Sequence, residues 1–470
     1  MNRLMKIFLR IFVVLIFILP INLVGQSVVF TYDQYIAQVR KHHPVMYRID
    51  LMEENAAAVE TVARGAFDPK IEADYNNKSF DDKNYYSLLS GGLKVPTWYG
   101  IEAKAGYERN SGQFLNESDF LPQFGLWSAG ISIPLGKNLV IDERRAELKK
   151  AKIFQNSTEQ EQIILRNGLI FQASAAYLNW QYAWQLTQIA QEGVRLAEIR
   201  LRNTVLSFEN GDVPAIDTLE ATISLQNREI ALTNAEINLV KTINKLQVFL
   251  WIDGFVPLEM EDNLIPEELQ DLQFIEETLL LENSIDQVVA SHPELQIYTF
   301  KNESLEVDKA LGKEGLKPDL RLSFQPLVTA NSNGLFQSFS ANDYKIGGSF
   351  HYPILQRKER GKLKMIDVKQ REVVADAAQK GQEIRTKLRM LTQNNTQLQE
   401  VFATQSESVI NTKLLLDAEN VKFSIGESSI FLLNSRESKY LEARMKVIDI
   451  LRKIIGNRIE LLYVAANFEV

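Results

Sequence analysis

Two hydrophobic periods alternate along this chain. After Pro69 the period is two: Ile71, Ala73 and Tyr75 alternate with Glu72, Asp74 and Asn76. After Pro318 the same pattern returns, with Leu320, Leu322 and Phe324 between Arg321, Ser323 and Gln325. Ile101, Ala103, Ala105 and Tyr107 continue the first run, and Ile131, Ile133 and Leu135 close it. Ile346, Gly348, Phe350 and Tyr352 close the second. Such alternation predicts strands with one apolar and one polar face. Tyr85, Tyr86, Trp98, Tyr99, Trp127 and Tyr344 lie near the strand ends. Aromatic ends suit a membrane β-barrel, although a soluble sandwich face has the same period.

Between and after the strands the period lengthens. From about Asp142 to Glu209 there is no proline, and the interior glycines are Gly168 and Gly193. Leu169, Ala173, Ala176, Trp180, Ala183, Ala190 and Ala197 step by threes, fours and sevens, and Phe402, Val409, Leu416 and Phe423 step by sevens. This spacing predicts long helices with coiled-coil-like packing. A run of about 65 residues would span about 100 Å at 1.5 Å per residue. Shorter helices are expected at 32–64, opened by a Thr31–Gln34 capping box, and at 215–248; Ser284 and Gln287 repeat the box signal.

The chain repeats itself. His43-Pro44 and His292-Pro293 are 249 positions apart, as are Pro69 and Pro318. Farther on, Arg145-Ala-Glu-Leu148 matches Arg360-Gly-Lys-Leu363, and Phe208-x-x-Gly211 matches Phe423-x-x-Gly426, both at an offset of 215. Equal spacings on either side of one length difference indicate an internal duplication, the first copy carrying the 34-residue difference between the offsets. Repeat one is expected over 26–250, with strands 69–135, long helix 142–209 and return helix 215–248. Repeat two follows over 284–470, with strands 318–355, long helix 358–424 and return helix 429–466. Residues 251–283 form an acidic connection: no Lys or Arg occurs from Leu246 to Phe300.

Composition narrows the function. Arg3 and Lys6 precede a short apolar run ended by Pro20, which reads as a secretory signal peptide over 1–25; a retained N-terminal anchor is the alternative. No other stretch reaches the ~20 apolar residues of a spanning helix, so a membrane crossing would have to use strands. The net charge of −8 argues against nucleic acid as a partner. There is no cysteine, which excludes disulfides and thiolate chemistry. The histidines, His42, His43, His292 and His351, have no zinc-type spacing. No catalytic motif, metal site or cofactor fingerprint is found, and no enzyme is expected.

The duplication, the 63-residue spacing from Arg145 to Phe208 and from Arg360 to Phe423, the two Phe-x-x-Gly turns, and Pro134-Leu135 with Pro353-Ile354 at the strand ends belong together. In this order they resemble the TolC family of outer-membrane efflux and secretion channels, over nearly all of the chain after residue 25. The resemblance implies a mixed α and β fold: a long coiled-coil α-helical barrel continuing a membrane β-barrel, internally duplicated and trimeric. It implies outer-membrane lipid around the barrel and a periplasmic extension. The hairpin tips, Asn210, Gly211, Asp212, Ile425, Gly426 and Glu427, would dock onto a periplasmic adaptor (membrane fusion) protein serving an inner-membrane transporter.

Two features depart from the family's pattern. Acidic residues often stand six and nine positions after the second tip glycine, where this chain has Leu432 and Ser435. Asp217 and Glu220 hold those positions in the first repeat and become the candidates for an iris gate. The family's two strands per repeat would give a twelve-stranded trimer, so the first repeat's excess could widen the barrel or fold beneath it. A periplasmic coiled-coil adaptor or a helical scaffold protein is the alternative function. A basic collar, beside lipid headgroups or at the barrel mouth, is expected at Arg144, Arg145, Lys149 and Lys150, and at Lys358, Arg360, Lys362 and Lys364, with a solvated helix face as the alternative.

Overall fold

The computed structural model describes residues 28–261, 263–270, 284–333, 336 and 340–468. The expected signal peptide and the end of the acidic connection, 271–283, lie outside them. A short strand β1 (Val28–Phe30) leads into helices α1 (Tyr32–His42) and α2 (Pro44–Gly65). Strands β2 (Lys70–Phe80), β3 (Lys83–Pro96), β4 (Glu102–Ser111) and β5 (Leu126–Pro134) come next. Helices α3 (Glu143–Glu209) and α4 (Ala215–Gln247) follow, then short strands β6 (Trp251–Ile252), β7 (Val256–Pro257) and β8 (Leu264–Pro266). The second half runs α5 (Ile285–Ser291), α6 (Pro293–Glu314), β9 (Asp319–Thr329), β10 (Tyr344–His351), α7 (Arg357–Ser424) and α8 (Ile430–Val464).

The chain divides into two compact units. One holds α1, α4, the small strands, most of α8 and the C-terminal parts of α3 and α7. Its core is aromatic and aliphatic: Tyr35, Tyr177, Trp180, Leu246, Leu250, Ile454 and Ile455 are fully buried. Tyr35 stacks on Tyr177 at 5.4 Å, and the Tyr177 hydroxyl donates to the Phe30 carbonyl at 2.7 Å. Of the long helix's expected seam, Leu169, Ala173, Trp180, Ala183 and Ala197 are buried, while Ala176 and Ala190 are half-buried. Small residues there let neighbouring helices approach closely.

The other unit holds most of α2, then α5, α6, the remainder of α3 and α7, and a six-stranded sheet that curls. The sheet order is β10-β9-β5-β4-β3-β2, and every neighbouring pair is antiparallel. The first half of the chain therefore supplies four strands and the second half two.

Local signals decide the helix ends. The Thr31 capping box forms: Gln34 N–H reaches Thr31 Oγ1 at 3.3 Å and Thr31 N–H reaches Gln34 Oε1 at 3.1 Å. The expected second box does not. Ser284 stands at the cap position of α5, but its backbone (φ −131°, ψ 19°) is outside the extended region from which a cap side chain reaches the helix, and no cap bond forms. Both His-Pro steps stop a helix, as expected, and also start the next. His43 Nδ1 accepts Val45 N–H at 3.1 Å, and His292 Nδ1 accepts Glu294 N–H at 3.2 Å. Burial pushes both ring pKa values below that of an ordinary histidine, keeping the accepting nitrogen free of a proton. The acidic connection is more structured than its charge implied: β6 and β7 form a hairpin, and β8 pairs in parallel with β1. Strands of two or three residues leave no periodic signal to read.

Candidate functional site

Two features could carry function: the sheet and the hairpin tips. In the sheet the register sets whole rows of side chains onto one face. Val95, Ala103, Ile131, Phe324 and Ile346 stand in one row across five strands. Ala73, Gly91, Tyr107, Trp127 and Val328 form another on the same face. The opposite face carries Glu72, Gly92, Gly106, Ser128 and Leu327, and beside them Asp74, Ser90, Glu108, Leu126 and Thr329. One face is thus apolar through every strand and the other mainly polar with small residues. The apolar face is uncovered: Ile71, Ile346 and Phe350 are 86%, 68% and 70% exposed. Burying even one such side chain would contribute about 2 kcal/mol, so an open apolar sheet face demands an apolar neighbour.

A junction ties the sheet to the start of α3. Trp98, in the turn between β3 and β4, stacks on Phe67 with ring centres 4.1 Å apart. Arg144 pairs with Glu102 at 3.3 Å and Asp142 at 3.3 Å, and Arg145 donates to the Asn138 carbonyl at 2.6 Å. Lys150 bridges Glu147 at 2.7 Å and Asp308 at 3.3 Å. In the first repeat's half of the expected basic collar, Arg144, Arg145 and Lys150 thus fasten protein to protein. Of their carboxylate partners, Asp142 and Glu147 are near in sequence, whereas Glu102 and Asp308 lie on neighbouring elements, out of reach of a reading along one helix.

The two tips share one backbone. Gly211 and Gly426 have φ of 82° and 80°. Asp212 N–H reaches back to Ser207 C=O at 2.8 Å and Gly211 N–H to Phe208 C=O at 2.9 Å; Glu427 to Lys422 (2.9 Å) and Gly426 to Phe423 (3.1 Å) repeat the pattern. This is the Schellman ending of a helix, which requires the left-handed conformation that glycine adopts without strain. Asn210, Gly211, Asp212, Ile425, Gly426 and Glu427 are all exposed.

Asp217 and Glu220, the gate candidates, are half-buried on the first turns of α4. Asp217 lines a cavity of about 280 Å³ together with Arg200, Asn203, Thr204, Phe423 and Leu433. The strongest polar cluster near the tips was not expected from the sequence. Arg200 donates to Asn434 Oδ1 at 2.7 Å and forms an ion pair with Glu437, whose side chain is 2% exposed. Arg228 adds a second cation at 4.0 Å. The available signal was a charge on an apolar stripe, since Glu437 shares a face of α8 with Ile430, Leu433 and Leu441.

Among the described residues no helix is long and apolar enough to cross a membrane. No protein-family model and no curated protein matches the chain. Solved structures do match. The CmeC outer membrane channel of Campylobacter jejuni is 13% identical, with 93% of this chain and 85% of that one covered and a TM-score of 0.63. The MtrE outer membrane channel of Neisseria gonorrhoeae, in its open state, is 15% identical over 92% and 88% of the two chains, also at 0.63. This chain has the outer-membrane channel fold. The outer membrane protein VceC of Vibrio cholerae matches at 0.63 as well, with 11% identity and coverage of 92% and 95%. The resemblance read from the tip and strand motifs and the likeness in three dimensions therefore point to the same TolC-type fold.

Proposed function

We propose that this chain is one subunit of an outer-membrane exit channel, an internally duplicated protein that works as a homotrimer. The carrying observation is the sheet, apolar on one face and mainly polar on the other through six strands, with the apolar face uncovered. Strands that face lipid on one side and water on the other are what a membrane-spanning β-barrel requires. Support for association comes from α4, where Ile216, Ile223, Ile230 and Ile237 recur every seventh residue and are 70%, 45%, 61% and 62% exposed. A heptad stripe of this kind is a helix-packing seam without its partner.

In this reading the helices extend into the periplasm. The tips Asn210–Asp212 and Ile425–Glu427 receive an adaptor protein, through which an inner-membrane transporter of an efflux pump or a type I secretion system delivers its cargo. Asp217 and Glu220 are the gate candidates, and no catalytic step is involved. Neither the adaptor nor the scaffold alternative explains an apolar sheet face left open at Ile71, Ile346 and Phe350. Fractionation tests the proposal: the protein should enter the outer membrane and run as a heat-sensitive trimer on gels. Recovery as a soluble monomer would overturn it.

A further inference from the structure

The first repeat's surplus residues raise a question of architecture that the sheet answers. We infer that all six strands belong to the barrel wall, and that the wall closes by pairing β2 of one copy with β10 of the next. The inference rests on the channel reading above and deepens it by naming the seam between copies.

Three observations carry it. First, β3 and β4 lie between β2 and β5 in the sheet, and all hydrogen bonding from β2 to the remaining strands passes through them. A β3–β4 hairpin folded beneath the barrel would strand β2 alone. Second, β3 and β4 obey the same division of faces as the others. Leu89, Leu93, Val95, Ala103 and Ala105 share the apolar face with Ile131 and Phe324, whereas Ser90, Lys94, Glu102, Lys104 and Glu108 share the other. A hairpin in water has no reason to keep an apolar face in register with the lipid-facing one.

Third, β2 and β10 are the sheet's two edges, eleven and eight residues long. All of β2 is exposed. An unpaired edge is not viable in hydrocarbon, because its backbone groups have no partner there. Six strands are fewer than the eight of the smallest membrane barrels, so one copy cannot close on itself. The even count makes β2 and β10 run in opposite directions. Joining copies edge to edge therefore keeps every neighbour antiparallel and every apolar face on the same side. Three copies of a six-stranded sheet give eighteen strands, where the family pattern gives twelve.

Electron cryomicroscopy of the protein in lipid nanodiscs tests this directly. Expected are six wall strands per copy, with β2 against the β10 of a neighbour. Four wall strands per copy, with 83–111 outside the wall, would overturn the inference and leave the channel reading intact. A copy number other than three would instead contradict the trimer reading. The absence of cysteine allows a second measurement in proteoliposomes. A membrane-impermeant maleimide should label Ser90→Cys and leave Leu89→Cys unlabelled until detergent is added. Equal labelling of both before detergent would place β3 in water and overturn the inference.

Discussion

The two hairpin tips have the same backbone and different supports. Each ends on a glycine near φ 80° and each returns its amides to carbonyls three and five residues back. At the second tip Ser428 Oγ donates to Glu419 Oε1 at 2.6 Å, Arg436 reaches the other carboxylate oxygen at 3.4 Å, and Ser429 Oγ accepts Leu432 N–H at 3.3 Å. At the first, Pro214 caps α4 without a side-chain bond, and Thr204, 215 positions before Glu419, turns its hydroxyl to the Arg200 carbonyl. Helix geometry alone makes the turn; side chains decide how firmly it is held. On these contacts the first tip should be the softer of the two.

The two hairpins share one buried ion pair. Arg200 on α3 and Glu437 on α8 join the first and second halves of the chain. Removing one partner leaves a buried charge uncompensated, so Arg200→Ala should lower stability by about 3 kcal/mol in thermal or denaturant unfolding. This is the low end of the expected range, because Arg228 stands 4.0 Å from the orphaned carboxylate. A neutral result would show that the pair does not couple the hairpins.

Next in size are the glycines. A Cβ at Gly211 or Gly426 meets nothing within 4 Å, so any penalty is conformational. Gly211→Val and Gly426→Val should each cost about 1–2 kcal/mol in local stability, read as faster amide exchange at the tip. Each should impair transport while leaving the trimer intact. Normal export and adaptor binding in both variants would reject the tips as the docking surface.

A smaller effect should separate the tips. The Ser428 hydrogen bond, and after it the Arg436 guanidinium, hold the Glu419 carboxyl below its ordinary pKa. A carboxylate with a depressed folded-state pKa contributes stability above its unfolded value and loses it as pH falls through the folded one. Acidification below the ordinary carboxylate range should therefore loosen 425–432 while Ser428→Ala, already lacking the bond, responds less. Equal acid response in wild type and variant would remove the brace from the account. The finest distinction concerns Asp217 and Glu220: divalent cations on the tip side should reduce conductance, and Asp217→Ala with Glu220→Ala should relieve the block. Identical behaviour with and without the two acids would leave Asp217 only its place at a helix start.

Much of this was legible because its causes are local. Strand faces, the long helices, the His-Pro stops and the glycine turns each follow from a few consecutive residues. What stayed hidden depends on partners far apart in the chain. The place of β3 and β4 inside the sheet needed the register of Tyr107 against Trp127 and Phe324 against Ile131. Arg144 and Arg145 read as part of a collar for lipid headgroups until Glu102 and the Asn138 carbonyl came beside them. The brace at Glu419 links residues nine and seventeen apart across a turn, and the Arg200–Glu437 pair spans 237 positions.

In the proposed channel the mainly polar face of this sheet surrounds a water-filled passage while its apolar face meets lipid. Planar-bilayer recording of the purified protein decides this. Discrete conductance steps of uniform size are the predicted result. Protein that inserts stably into the bilayer and yet passes no current, at any divalent-cation concentration, would contradict it.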